Sequence, residues 1–167
     1  MRHIVEAIIE IPMGTQNKYE VDKEKNRIKL NRVLYSKMTY PAEYGFIDKT
    51  LAEDGDPLDI LVLASTPTFP GCVVDARVIG YLDMIDSGDH DQKIIAVVDA
   101  DRRFDDVCDI LDIKELQMKE IKLFFSNYKI FEPGHHVEVL EYYPKQEAIK
   151  LIETCQRVYI ENMKKKM

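Results

Sequence analysis

The sequence predicts a mainly β protein: a closed β-barrel carrying two helices from the C-terminal half of the chain. Short β-rich segments fill the first two-thirds. Turn residues punctuate them, and the two runs with helical apolar spacing come late. Strands in series with helices gathered at the end suit a barrel better than alternating βα units.

The elements follow in order. Ile4 to Ile11 is an apolar run closed by Pro12-Met13-Gly14. Arg27 to Val33 alternates with period two, so Ile28, Leu30 and Arg32 share a face, expected to be inward. Leu58 to Leu63, Val73 to Leu82 and Lys93 to Val98 are β-rich, with Pro70-Gly71 and Ser87-Gly88 as turns. A last strand, Val137 to Leu140, follows Pro133-Gly134. From Lys114, residues Met118, Ile121, Phe125 and Tyr128 form one helical stripe. Pro144 opens a second helix whose stripe is Ala148, Ile152, Cys155 and Tyr159.

The chain of 167 residues is expected to form one domain, 1–167. Three scattered cysteines with no Cys-x-x-Cys pair argue against a disulfide framework and point to a reducing cytoplasm. Glu6 and Glu10 break the apolar run behind Arg2-His3, so no signal peptide is expected. No stretch is apolar for long enough to predict a membrane span. Net charge is −7, which disfavours a nucleic-acid partner.

The position of the charges is more informative than their sum. Residues 50–92 hold nine acids (Glu53, Asp54, Asp56, Asp59, Asp75, Asp83, Asp86, Asp89, Asp91) against one base, Arg77. Interleaved with strands, they must meet on folding. Carboxylates without Lys or Arg partners raise their pKa or bind a cation. In Asp54-Gly55-Asp56-Pro57-Leu58-Asp59, Gly55 permits an unusual backbone angle and Pro57 fixes another, a bend able to aim three carboxylates together. An Asx turn would explain one of these aspartates, not three. An EF-hand is excluded, since its glycine position would fall on Asp59. Asp86-Ser87-Gly88-Asp89-His90-Asp91 is a second acidic loop, in which Asp89 and His90 are expected to be solvated. His135 and His136 are expected on opposite faces of a strand, a poor joint site. Opposite charges come from Lys18, Arg32 and Lys129, with phenols at Tyr40, Tyr44 and Tyr128. An Arg on an inward face is expensive unless it meets an anion.

These residues carry a resemblance. Asp54 to Asp59 followed by Ile60 is similar to the signature of soluble family I inorganic pyrophosphatases. The likeness extends in order through Glu10-Ile11-Pro12, Asn17-Lys18-Tyr19-Glu20, Tyr40-Pro41, Tyr44-Gly45, Phe69-Pro70-Gly71 and Phe124 to Lys129. It implies a five-stranded OB-like closed barrel and hydrolysis of pyrophosphate to two orthophosphates. It also implies several Mg²⁺ ions, with Mn²⁺ or Zn²⁺ as substitutes, and a homo-oligomer, commonly a hexamer. Position by position, it assigns Asp54, Asp59, Asp86 and Asp91 to the metals and Asp56 to the general base. Lys18, Arg32, Tyr44, Tyr128 and Lys129 would bind phosphate oxygens. Glu10, Glu20, Tyr40 and Lys93 would complete the pocket. The chain departs from the pattern at Ser87 and His90, where acids are common, and at Leu140 to Tyr143, where a Trp is common.

Two other readings stand beside it. Ile94 to Val98 followed by Asp99-Ala100-Asp101 mimics the nucleophile strand of a haloacid-dehalogenase-like phosphatase, with Asp99 as nucleophile. A non-enzymatic divalent-cation module would need the acids but not the Lys, Arg and Tyr residues.

Overall fold

The computed structural model describes residues 1–167. Nine strands form: β1 Ile4–Ile11, β2 Asn17–Asp22, β3 Arg27–Val33, β4 Glu43–Ile47, β5 Asp59–Leu63, β6 Val73–Asp86, β7 Asp89–His90, β8 Lys93–Val98 and β9 Val137–Pro144. The helices are α1, Glu115–Asn127, and α2, Lys145–Lys165. Five strands close on themselves in the order β1-β4-β5-β8-β6, with β6 returning to β1 through Ile4↔Arg77 to Ile8↔Val73. Every step is antiparallel except β5–β8. The expected closed barrel with two helices is therefore present.

Most of the expected boundaries hold, and the differences have physical causes. β6 runs on past Leu82 because its far end still finds partners, in β7 and β9. β9 likewise continues to Pro144, pairing with Gly80. The short β4 is not obvious in sequence, because Glu43 and Gly45 interrupt its apolar pattern. Both exceptions are explained by contacts. Glu43 is fully buried and accepts hydrogen bonds from Thr68 N at 2.9 Å and Thr68 Oγ1 at 2.7 Å. Gly45 faces Ile8 so closely that a Cβ there would lie 1.9 Å from the Ile8 carbonyl oxygen.

The inward face expected for Ile28, Leu30 and Arg32 is wrong. β3 pairs only with β2, in a separate two-stranded hairpin, and Ile28 and Leu30 are exposed. Alternation reports that a strand has two faces, but not which of them is covered. His135 and His136 also do not sit on a strand, since β9 begins at Val137.

Both faces of β5 and β8 are buried, which explains their continuous apolar runs. Leu61, Leu63, Ile95 and Val97 pack in one cluster with Ile121, Phe124, Phe125 and Tyr128 of the α1 region. Ile60, Val62, Ile94 and Ala96 pack in another with Ala148, Ile152 and Cys155 of α2. Each large apolar side chain so buried contributes roughly 1.5–3 kcal/mol relative to exposure. The helical stripes read from sequence are the faces that dock. This alternation has a consequence for chemistry. Asp59 and Lys93 lie on the faces of Leu61 and Ile95, which pack with α1, at the end of the barrel where the parallel β5 and β8 both begin.

Candidate active site

Two loops bring acids to that end. The first spans 48–58 and is stapled by buried Thr50. Its hydroxyl donates to Ile47 O at 2.5 Å and accepts from Leu58 N at 2.9 Å. Gly55 adopts φ +87°, as its turn demands. Asp54 Oδ1 accepts from Asp56 N at 3.0 Å, so the Asx turn exists and leaves Asp56 and Asp59 free to point elsewhere. The second loop is the β6–β7 turn, with φ +53° at Ser87 and +93° at Gly88. Consecutive positive φ values are those of the tightest hairpin turns. This turn places Asp86 and Asp91 at the strand ends.

A 530 Å³ cavity opens where these loops meet the β2–β3 hairpin and the end of α1. Asp54, Asp56, Asp59, Asp86 and Asp91 line it, together with Glu10 and Glu20. Lys18, Lys93, Lys129, Tyr40, Tyr44 and Tyr128 line it too. Of the expected site residues, only Arg32 is not on the lining. It stands opposite Lys18 in the β2–β3 register, with its Nε donating to Glu132 Oε1 at 2.7 Å. Glu132 went unnoticed in sequence, where a single acid before Pro133-Gly134 reads as loop. Asp89 is exposed, and His90 leans on Asp83 at 2.9 Å, away from the cavity. Asp99 also lies elsewhere. It accepts from Arg77 Nε at 3.0 Å at the end of β8.

Lys93 is the organising cation. Only 1% exposed, it donates to Asp59 Oδ2 at 2.7 Å, Asp91 Oδ1 at 2.8 Å and the Tyr44 hydroxyl at 2.9 Å. Burial alone would lower its pKa, but Asp59, Tyr44 and Asp91 hold it well above the ordinary lysine value. Lys129 plays a similar part for Asp86, donating to Oδ2 at 2.6 Å. Burial would raise Asp86, but that bond and charge keep it below the usual range.

At other acids burial wins, at Asp59 even against the Lys93 charge. Burial raises Glu10, against the pull of a hydrogen bond from Val21 N. Burial also raises Asp54 and Asp59, with Asp91 adding repulsion at both. Tyr40, Tyr44 and Tyr128 are all pushed above the ordinary phenol value, chiefly by burial. They remain O–H donors at neutral pH. Burial, and then Arg32, lowers Lys18.

The donor set fits a hard divalent ion: carboxylate oxygens from two loops, several of them short of counter-charge. No three acidic or His side chains converge on one point, since the Lys93 ammonium stands between Asp59 and Asp91. Facing these acids are cations and phenols suited to anionic oxygens. Acids for metal on one wall and donors for anions on the other define the class of site that handles phosphate esters or anhydrides with divalent ions.

Comparison with known proteins gives the particular family. The family model "Inorganic pyrophosphatase" matches residues 7–160. The inorganic pyrophosphatase of Geobacillus stearothermophilus is 57% identical over 152 residues, covering 91% of this chain and 92% of that protein. That of Halalkalibacterium halodurans is 56% identical over 152 residues, covering 91% and 93%. The crystal structure of inorganic pyrophosphatase from Thermus thermophilus superposes with a TM-score of 0.91 at 45% identity, covering 93% of this chain and 91% of that one. The chain belongs to the inorganic pyrophosphatase family.

Proposed function

We infer that this chain hydrolyses inorganic pyrophosphate to two orthophosphates, as an inorganic diphosphatase. The observation that carries this reading, beside family membership, is the single cavity lined by five aspartates and by Lys18, Lys129, Tyr44 and Tyr128. Pyrophosphate is a dense anion. Its cleavage requires charge neutralisation on both phosphates and a water held in line with the leaving oxygen.

Asp54, Asp59, Asp86 and Asp91 would hold Mg²⁺ ions, with Mn²⁺ or Zn²⁺ as substitutes. When bound, such ions neutralise phosphate charge and make water more acidic. Asp56 takes the proton from the attacking water at its carboxylate. Its place in the Asp54 turn, with its backbone N–H already satisfied, supports that role. Lys18, Lys129 and Arg32 bind phosphate oxygens as cations. Tyr44 and Tyr128 bind them as neutral O–H donors, which their raised pKa values support. Glu10, Glu20 and Tyr40 complete the walls. Lys93 balances Asp59 and Asp91 before metal arrives.

Residues 1–167 act as one domain, working in the cytoplasm as a homo-oligomer, a homohexamer by family resemblance. No helix is long and apolar enough to cross a membrane. The test is phosphate release. Pyrophosphate with Mg²⁺ yields phosphate, a chelator abolishes it, and phosphomonoesters yield none. Phosphate released from monoesters but not from pyrophosphate overturns the reading.

A further inference from the structure

Arg32 is set apart from the other cations of the site. Its strand, β3, pairs only with β2, so the barrel ladder does not fix where the guanidinium points. What fixes it comes from 100 residues further along the chain. Arg32 Nε donates to Glu132 Oε1 at 2.7 Å, and Arg32 Nη1 donates to Asn31 Oδ1 at 2.8 Å. The Glu132 side chain is only 5% exposed, and its second oxygen faces His135 Nε2 at 3.4 Å. It is therefore the anchored member of the pair, and Arg32, 23% exposed, is the member being held.

Glu132 sits in a tight turn, its N–H donating to Lys129 O at 2.9 Å. The same turn carries Lys129, which grips Asp86. One short segment thus reaches both the hairpin wall and the acidic wall of the cavity. A buried carboxylate is an expensive way merely to hold a hairpin, since apolar packing does this without desolvating two charges. What a carboxylate offers, and an apolar contact does not, is a fixed orientation of the planar guanidinium fork. Nη2 has no protein hydrogen-bond partner, and Lys18, opposite Arg32 across the hairpin, lines the cavity.

We propose that Glu132 is a positioning residue for Arg32, holding the guanidinium so that Nη2 meets a phosphate oxygen of the substrate. The inference rests on the reading that Arg32 binds substrate phosphate. Its partner Glu132 does not touch substrate.

A double-mutant cycle separates the two. Glu132→Gln, Arg32→Ala and the double variant are compared with the parent by KM and kcat for Mg-pyrophosphate. Calorimetric affinity for methylene bisphosphonate, a pyrophosphate analogue with no cleavable bridge, gives a second readout. Glu132→Gln should weaken analogue binding and raise KM by about tenfold, with a smaller change in kcat and none in the Arg32→Ala background. Should Glu132→Gln fail to fold, Glu132→Asp, which keeps the charge and shortens the reach, enters the same cycle with the same expectation. Additive losses, or an unchanged or tightened affinity in Glu132→Gln, overturn the positioning role. If Arg32→Ala itself has no effect, Arg32 is not a substrate ligand and the inference falls with that reading. If Arg32→Ala weakens binding and Glu132→Gln does not, only the positioning inference fails.

Discussion

Asp59 and Lys93 stand directly opposite each other in the parallel β5–β8 pair, and Lys93 Nζ donates to Asp59 Oδ2 at 2.7 Å. The register brings an acid and a base together at the mouth of an otherwise apolar barrel. The ammonium also lies 5.4 Å from the Tyr44 ring centroid and 5.7 Å from that of Phe125, so aromatic faces share its charge. Removing it leaves Asp59 and Asp91 facing each other with no counter-charge. Lys93→Met should destabilise the metal-free protein by about 3 kcal/mol. Millimolar Mg²⁺ should recover part of the loss. Denaturant midpoints with and without Mg²⁺ check this, and a neutral substitution would mean that the ion pair does not hold these acids.

The raised carboxyls set the pH dependence of metal binding. A group whose folded pKa lies above its unfolded value binds protons more tightly when folded. Its contribution to stability is therefore greatest in acid and is lost as pH rises through the folded pKa. For Asp59 that window runs from 3.8 to about 6, with Asp54 and Glu10 shifted in the same direction. Mg²⁺ competes with those protons. At about 100 times its dissociation constant it should add roughly 2.7 kcal/mol to stability at pH 8. The rise in Tm on adding Mg²⁺ should be clearly smaller at pH 5, and equal rises at the two pH values would contradict the proposed metal ligands.

Three aspartate variants separate the chemistry. Asp56→Asn keeps shape and loses the proposed base, so kcat on pyrophosphate should fall by a factor of about 10² or more. Asp59→Asn should be at least as harmful, since it removes a proposed metal ligand and its charge. Asp99→Asn should keep most activity, because Asp99 serves Arg77 and Arg2 outside the cavity. An inactive Asp99→Asn enzyme beside an active Asp56→Asn enzyme would reverse the assignment.

Gly45 offers a purely steric test. Its neighbour Tyr44 donates one wall of the site, and a Cβ at Gly45 would overlap the Ile8 carbonyl at 1.9 Å. That contact is backbone and cannot rotate away. Gly45→Ala should cost more than about 4 kcal/mol and lower the yield of folded protein. Thermal melting reads the outcome.

An apolar run marked β1, β-rich composition marked β8, alternation marked β3 and helical spacing marked the buried stripes of both helices, because all of these are local properties. The Asp54 to Asp59 bend and the Ser87-Gly88 turn were legible for the same reason: Gly and Pro act on their own backbone. The acidic imbalance of residues 50–92 also required either raised carboxyl pKa values or a cation, and Asp54 and Asp59 are raised. The sequence alone could not say which face of β3 is covered. Ile28 and Leu30 look inward by pattern, yet β3 has no sheet against it. Nor could it show that Lys93 lies between Asp59 and Asp91, or that Glu132 holds Arg32. Those pairings depend on strand register and on a turn meeting a hairpin 100 residues away. Such long-range geometry is decided by how the barrel closes and where α1 docks, because only burial in the folded state makes one partner preferable to water.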